Sequence, residues 1–64
     1  MRFSRNQVHI MQLVADGLTD QQIATQKKRS IFTVKRTLEV IRIKMDVQDR
    51  LQIAIKAFLW GLVK

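Results

Sequence analysis

The 64-residue sequence has no cysteine, no proline, two glycines and one histidine. Without cysteine there is neither a disulfide framework nor a thiolate metal site, and one imidazole, His9, makes no metal site. With so little proline and glycine, and no Ser/Gly-rich, repetitive or low-complexity segment, there is nowhere for a flexible linker, so a chain ordered nearly end to end is expected. Acids are scarce as well: five, set against twelve Lys and Arg. They are scattered, and no nucleophile, base and orienting group can be nominated, so the sequence reads as a non-enzyme that needs no cofactor. The longest apolar stretch, Ile53 to Val63, is broken by Lys56 and falls far short of a membrane span. The opening Met1, Arg2, Phe3 lacks the apolar run of a secretory leader. A soluble, cytoplasmic protein with no membrane partner is expected.

What is present fits one small domain, residues 1–64. Chains of this length bury only about 60% of their unfolded surface, so the core must be economical and built helix on helix. The net charge of +7 favours nucleic acid, an acidic protein or an anionic membrane as partner.

Helix starts are marked by capping pairs. Ser4 with Gln7, Thr19 with Gln22, and Asp49 with Gln52 each place an acceptor side chain before a helix and a Gln three residues on that can reach back. Phe3 and Leu18 precede two of these caps and are placed to staple to Val8 and Ile23. Gly17 reads as the end of the first helix. Ser30 caps a longer one, whose Ile31, Val34, Leu38, Ile41 and Met45 recur at steps of three and four. The spacing predicts an all-α domain with helices over Arg5 to Ala15, Asp20 to Gln26, Ile31 to Met45 and Arg50 to Val63. Only Lys27, Lys28 and Arg29 separate the second helix from the Ser30 cap, the short link that sets two helices at a steep angle.

Charge is concentrated on that link and the third helix. Seven of the twelve basic residues and one acid, Glu39, fall between Lys27 and Lys44, which carries +6 of the net +7. With the apolar stripe turned to the core, Lys35, Arg36 and Glu39 lie on a flank or face outward. A helix of this kind can enter a major groove about 12 Å wide and offer side chains to base edges while turn lysines such as Lys28 meet phosphate. His9, on the first helix and away from this span, reads as structural.

The fourth helix is apolar on two sides. Leu51, Ala54, Ile55, Phe58 and Leu62 form one stripe, and Ile53, Ala57 and Trp60 form a second nearly opposite. A chain this small cannot bury both. The first stripe is assigned to the core and the second, Ile53, Ala57 and Trp60, to a symmetric dimer contact.

From Phe3 to Ala57 the sequence resembles the LuxR/GerE-type helix-turn-helix domain. Phe3 to Gln7 mirror the family's opening Leu-Thr-x-Arg-Glu, and Ala15, Asp16, Gly17 its Ala-x-Gly. Leu18 to Ala24 follow Leu-Ser-Asn-x-Glu-Ile-Ala. Ser30, Ile31, Phe32, Thr33, Val34 and Lys35 match Ser-x-x-Thr-Val-Lys letter for letter, and Lys44 to Arg50 follow Lys-Leu-Gly-Val-x-Asn-Arg. The resemblance implies a four-helix domain that lays its third helix, the recognition helix, in the major groove and pairs through its fourth to read a two-fold site. Thr33 would then meet a phosphate, Lys35, Arg36 and Glu39 would reach toward bases or backbone, and Ser30 is counted with them among the DNA-binding residues. The chain departs from the family at Lys27 and Arg29, usually apolar, at Thr37, often histidine, and at Asp46, usually glycine. Family members usually carry a receiver or ligand-binding domain ahead of this module, so a stand-alone regulator is expected. The function expected is a sequence-specific DNA-binding transcriptional regulator of a bacterium or a bacterial virus, acting as a homodimer on double-stranded DNA. The alternative is a protein-binding decoy or anti-activator that captures another regulator or an RNA polymerase subunit, favoured by outward Phe32, Val40 and Ile43 and by the negative Glu39.

Overall fold

The computed structural model describes residues 3–64, so Met1 and Arg2, part of the opening read above, lie outside the described residues. The chain forms α1 (Arg5–Ala15), α2 (Asp20–Lys27), α3 (Ile31–Met45) and α4 (Arg50–Leu59), with no strand among the described residues. This is the all-α, four-helix architecture that the periodicity predicts.

Two of the three capping boxes close in both directions. Ser4 Oγ accepts from the Gln7 amide at 3.1 Å and Gln7 Oε1 from the Ser4 amide at 2.9 Å; Thr19 and Gln22 repeat this at 3.2 and 2.8 Å. The third box is half-made. Asp49 accepts from the Gln52 amide at 3.0 Å, but the Gln52 side chain turns instead to the Gln48 amide at 2.7 Å, tying down the loop ahead of α4.

All four helices end alike. Gly17, Lys28, Asp46 and Gly61 have positive φ, and the next residue's amide closes back over the last turn, as from Leu18 to the Leu13 carbonyl at 3.1 Å and from Val47 to that of Arg42 at 3.0 Å. This arrangement satisfies carbonyls that a helix end leaves without partners. Two of the four terminators are not glycine. Asp46 takes the left-handed backbone at φ 57, which aspartate tolerates better than most residues.

α1 packs chiefly on α4, and α2 on α3. The core comprises Ile10, Met11, Leu13 and Val14 of α1, Ile23 and Ala24 of α2, Val34, Leu38, Ile41 and Met45 of α3, and Ile53, Ala57 and Val63 from the C-terminal part. On α3 the expected stripe is the buried one, with Ile31 partly buried at its start.

α4 differs from expectation in two ways. It stops at Leu59 rather than Val63, because the chain reverses at Gly61 and returns to bury Val63. There Gln12 clamps the end of the chain, accepting from the Lys64 amide at 2.9 Å. The helix also faces the other way. Ile53 and Ala57, expected at a dimer contact, are fully buried in the domain's own core, whereas Leu51, Ile55 and Phe58, expected inside, are exposed. Contacts at the helix start accompany this orientation: the Arg50 guanidinium is held by the Asp20 carboxylate and the Leu18 carbonyl oxygen, and Ile53 and Ala57 sit three and seven residues later on the same inward face. Trp60, the third expected contact, caps the end of α4 and is 47% exposed, with Lys56 Nζ 5.6 Å from its ring centroid.

Candidate nucleic-acid interface

α2, the three-residue link and α3 present the basic span. Lys28 ends α2 with φ 56, and the Arg29 amide bonds back to the Ala24 carbonyl at 3.0 Å, which folds the link tightly. Ser30 then caps α3: its Oγ accepts from the Thr33 amide at 3.1 Å and lies 3.0 Å from the Thr33 hydroxyl. The two hydroxyls therefore sit together at the end of α3 where free backbone amides collect, a place suited to an anionic oxygen.

The six residues singled out as DNA-facing, Lys28, Ser30, Thr33, Lys35, Arg36 and Glu39, are all exposed, so burial withholds none of them from a partner. Lys35, Arg36 and Glu39 border one depression of about 540 Å³ between α3 and the first turns of α2 and α4, together with Phe32 and Arg42. Its rim mixes both signs of charge. Asp20 on the far wall is occupied by Arg50, and Asp49 by its capping bond, which leaves Lys35, Arg36 and Glu39 to face an approaching molecule.

Not every basic residue of the span points to this face. Lys27 turns back across the domain and its Nζ lies 2.8 Å from His9 Nδ1, so the one histidine serves as an acceptor joining α1 to α2. Arg42, half-buried, donates to the Gln48 carbonyl at 3.3 Å and helps hold the α3–α4 loop. Sequence reasoning missed this structural role of Arg42, whose acceptor is a backbone carbonyl in the loop. It also missed the Arg50–Asp20 pair, whose partners are 30 residues apart and carry no local signal.

A second surface stands away from the basic one. Leu51, Ile55, Phe58 and Leu59 of α4 are 49–72% exposed and recur at helical spacing, an apolar strip without cover in the single chain.

Comparison with known proteins agrees with this geometry. Residues 1–57 match the family of bacterial regulatory proteins described as the luxR family. The chain is 36% identical over 61 residues to the response regulator protein VraR of Staphylococcus aureus, and equally to the proteins of that name in Staphylococcus saprophyticus and Staphylococcus epidermidis. The aligned region covers 95% of this chain and 29% of each relative, so the chain spans less than a third of the length of these proteins. A four-helix fold with an exposed basic third helix, matched along most of its length, places the chain in the luxR family of bacterial regulatory proteins, as a DNA-binding helix-turn-helix domain of transcription regulation.

Proposed function

We propose that the chain binds duplex DNA sequence-specifically as a homodimer, each subunit laying α3 in a major groove. The observation that carries this reading is the exposure of all six candidate residues on a span holding +6 of the net +7, with the buried stripe of α3 turned away from them. Lys28, Ser30 and Thr33 are assigned to phosphate, which fixes register. Lys35, Arg36 and Glu39 are assigned to base edges, with Arg36 suited to the paired acceptors of guanine. The homodimer is assigned to the exposed strip of α4. Leu51, Ile55 and Phe58 recur at i, i+4 and i+7, and two copies related by a two-fold axis would cover each other's strip and present two α3 helices to a two-fold site. The place of action is the cytoplasm of a bacterium or of a phage-infected host; no described helix is long and apolar enough to cross a membrane.

The test is selection of bound sequences from random duplexes by the purified chain, followed by anisotropy titrations across salt. A recovered two-fold motif supports the reading, and failure to enrich any sequence contradicts it. A second reading, capture of another regulator or an RNA polymerase subunit, draws on Phe32 and Ile43, exposed at 79% and 73% on the same face of α3. A stable complex with such a protein, in the absence of duplex affinity, would favour it.

A further inference from the structure

The outward face of α3 carries Phe32, Arg36, Glu39 and Ile43 at i, i+4, i+7 and i+11, a single line opposite the buried Val34, Leu38, Ile41 and Met45. Two members of this line are costly on a surface that meets only phosphate. Phe32 leaves an aromatic ring 79% exposed to water. The Glu39 carboxylate makes no hydrogen bond or ion pair among the described residues, and its charge opposes an approaching DNA backbone. Neither residue supports the core or a helix cap, so their roles belong to whatever α3 meets.

The major groove answers both. Of the groups that base pairs display there, only one is apolar, the C5 methyl of thymine, and only two donate hydrogen bonds, the exocyclic amines of cytosine and adenine. A phenyl ring has no donor or acceptor, and an ionised carboxylate only accepts. Guanine O6 and N7 and thymine O4 repel a carboxylate, so at Glu39 two of the four bases are refused rather than merely unrewarded. Seven residues of helix rise about 10 Å, roughly three base steps of about 3.4 Å each, and Arg36 falls between the two ends.

Resting on the DNA-binding reading above, we infer that Phe32 and Glu39 determine which site the chain selects, Phe32 packing on a thymine methyl and Glu39 accepting from the exocyclic amine of a cytosine or adenine about three base pairs away. The carboxylate lowers affinity for DNA in general and raises discrimination among sequences.

The experiment uses the duplex recovered by selection and replaces single bases with analogues that lack one major-groove group. These are deoxyuridine for thymine, 2-pyrimidinone for cytosine and purine for adenine, each titrated against the parent chain, Phe32→Ala, Glu39→Ala and Glu39→Gln. Because the two amine deletions also remove one pairing hydrogen bond, each effect is read as the difference between the parent and the variant on the same duplex. Removing the one methyl that Phe32 covers should weaken the parent about four-fold per half-site, and removing the amine that Glu39 accepts from about ten-fold or more. Phe32→Ala should be indifferent to the methyl at that thymine while keeping the amine effect. Glu39→Ala should show the reverse, and whichever of 2-pyrimidinone or purine is felt identifies the base. Glu39→Gln, which keeps an acceptor and loses the charge, should bind unselected duplex more tightly than the parent. Because both side chains are exposed, the variants should melt with the parent. Analogue effects that are the same in parent and variants, or a selected site insensitive to every analogue, would overturn this inference and leave DNA binding intact. Recovery of no duplex at all would overturn both.

Discussion

The guanidinium of Arg50, at the first turn of α4, reaches across to the carboxylate of Asp20 at the first turn of α2 and to the carbonyl oxygen of Leu18 just before it. One side chain thus ties α4 to the helix that precedes the recognition helix. Arg50→Ala should lower stability by about 1–2 kcal/mol, the range for hydrogen bonds to a charged group reduced by partial exposure. Arg50→Lys should recover only part, because an ammonium cannot serve both acceptors as a planar fork does. Urea titrations check this; an Arg50→Ala midpoint equal to the parent's would mean this interaction does not set the packing.

Substitutions on the two faces of α4 should behave oppositely. Ile53→Asp puts an unpaired carboxyl at a fully buried position and should unfold the domain. Phe58→Asp changes an exposed residue of the apolar strip, and should leave the helical circular dichroism intact while shifting sedimentation from dimer to monomer. A dimer that survives Phe58→Asp and Leu51→Asp together would place the pairing surface elsewhere.

These two faces also show where sequence reasoning stops. On α3 one apolar stripe runs from Ile31 to Met45, and the periodicity leaves a single choice of inward face. The capping bonds at Ser4, Thr19 and Ser30 span three residues and are equally local. On α4 both faces are apolar, and the larger residues, Leu51, Ile55 and Phe58, make the more obvious core. The features that go with the observed choice are not local: Arg50 meets Asp20, 30 residues away, and the small Ala57 is buried where α4 lies against the rest of the core. The early end of α4 has a similar origin: Gly61 alone does not say that the tail returns to Gln12, 52 residues away.

Lys28 holds a left-handed backbone that costs a residue with a Cβ about 1–2 kcal/mol, of which glycine's larger unfolded-state entropy would offset about 0.5–1. Lys28→Gly should therefore stabilise the domain by roughly 0.5–1 kcal/mol and yet weaken DNA binding on every sequence alike. Lys28→Ala should weaken binding similarly without the gain in stability. Melting curves and anisotropy on the same samples separate the two effects; a Lys28→Gly chain that binds as the parent does would remove Lys28 from the residues that meet phosphate.

Leu38 is buried midway along α3, so Leu38→Ala should cost about 2–5 kcal/mol, as other large-to-small core changes do. In a domain of this size that is a large share of total stability. A melting temperature within a degree or two of the parent would contradict the packing of α3 described above.

The most direct test of groove reading by α3 is the salt dependence of duplex binding, measured for the parent, Lys28→Ala and Arg36→Ala on selected and unselected sequences. If each subunit covers about four phosphates, the dimer should show a log-log slope of roughly −7. Lys28→Ala should flatten that slope by about one unit for each phosphate left without its lysine, and weaken both sequences equally. Arg36→Ala should cost about 1–3 kcal/mol on the selected sequence alone and relax the choice of base there. Absence of duplex binding even near about 50 mM salt, or Arg36→Ala and Lys28→Ala chains that cannot be told apart on any sequence, would contradict base reading by α3.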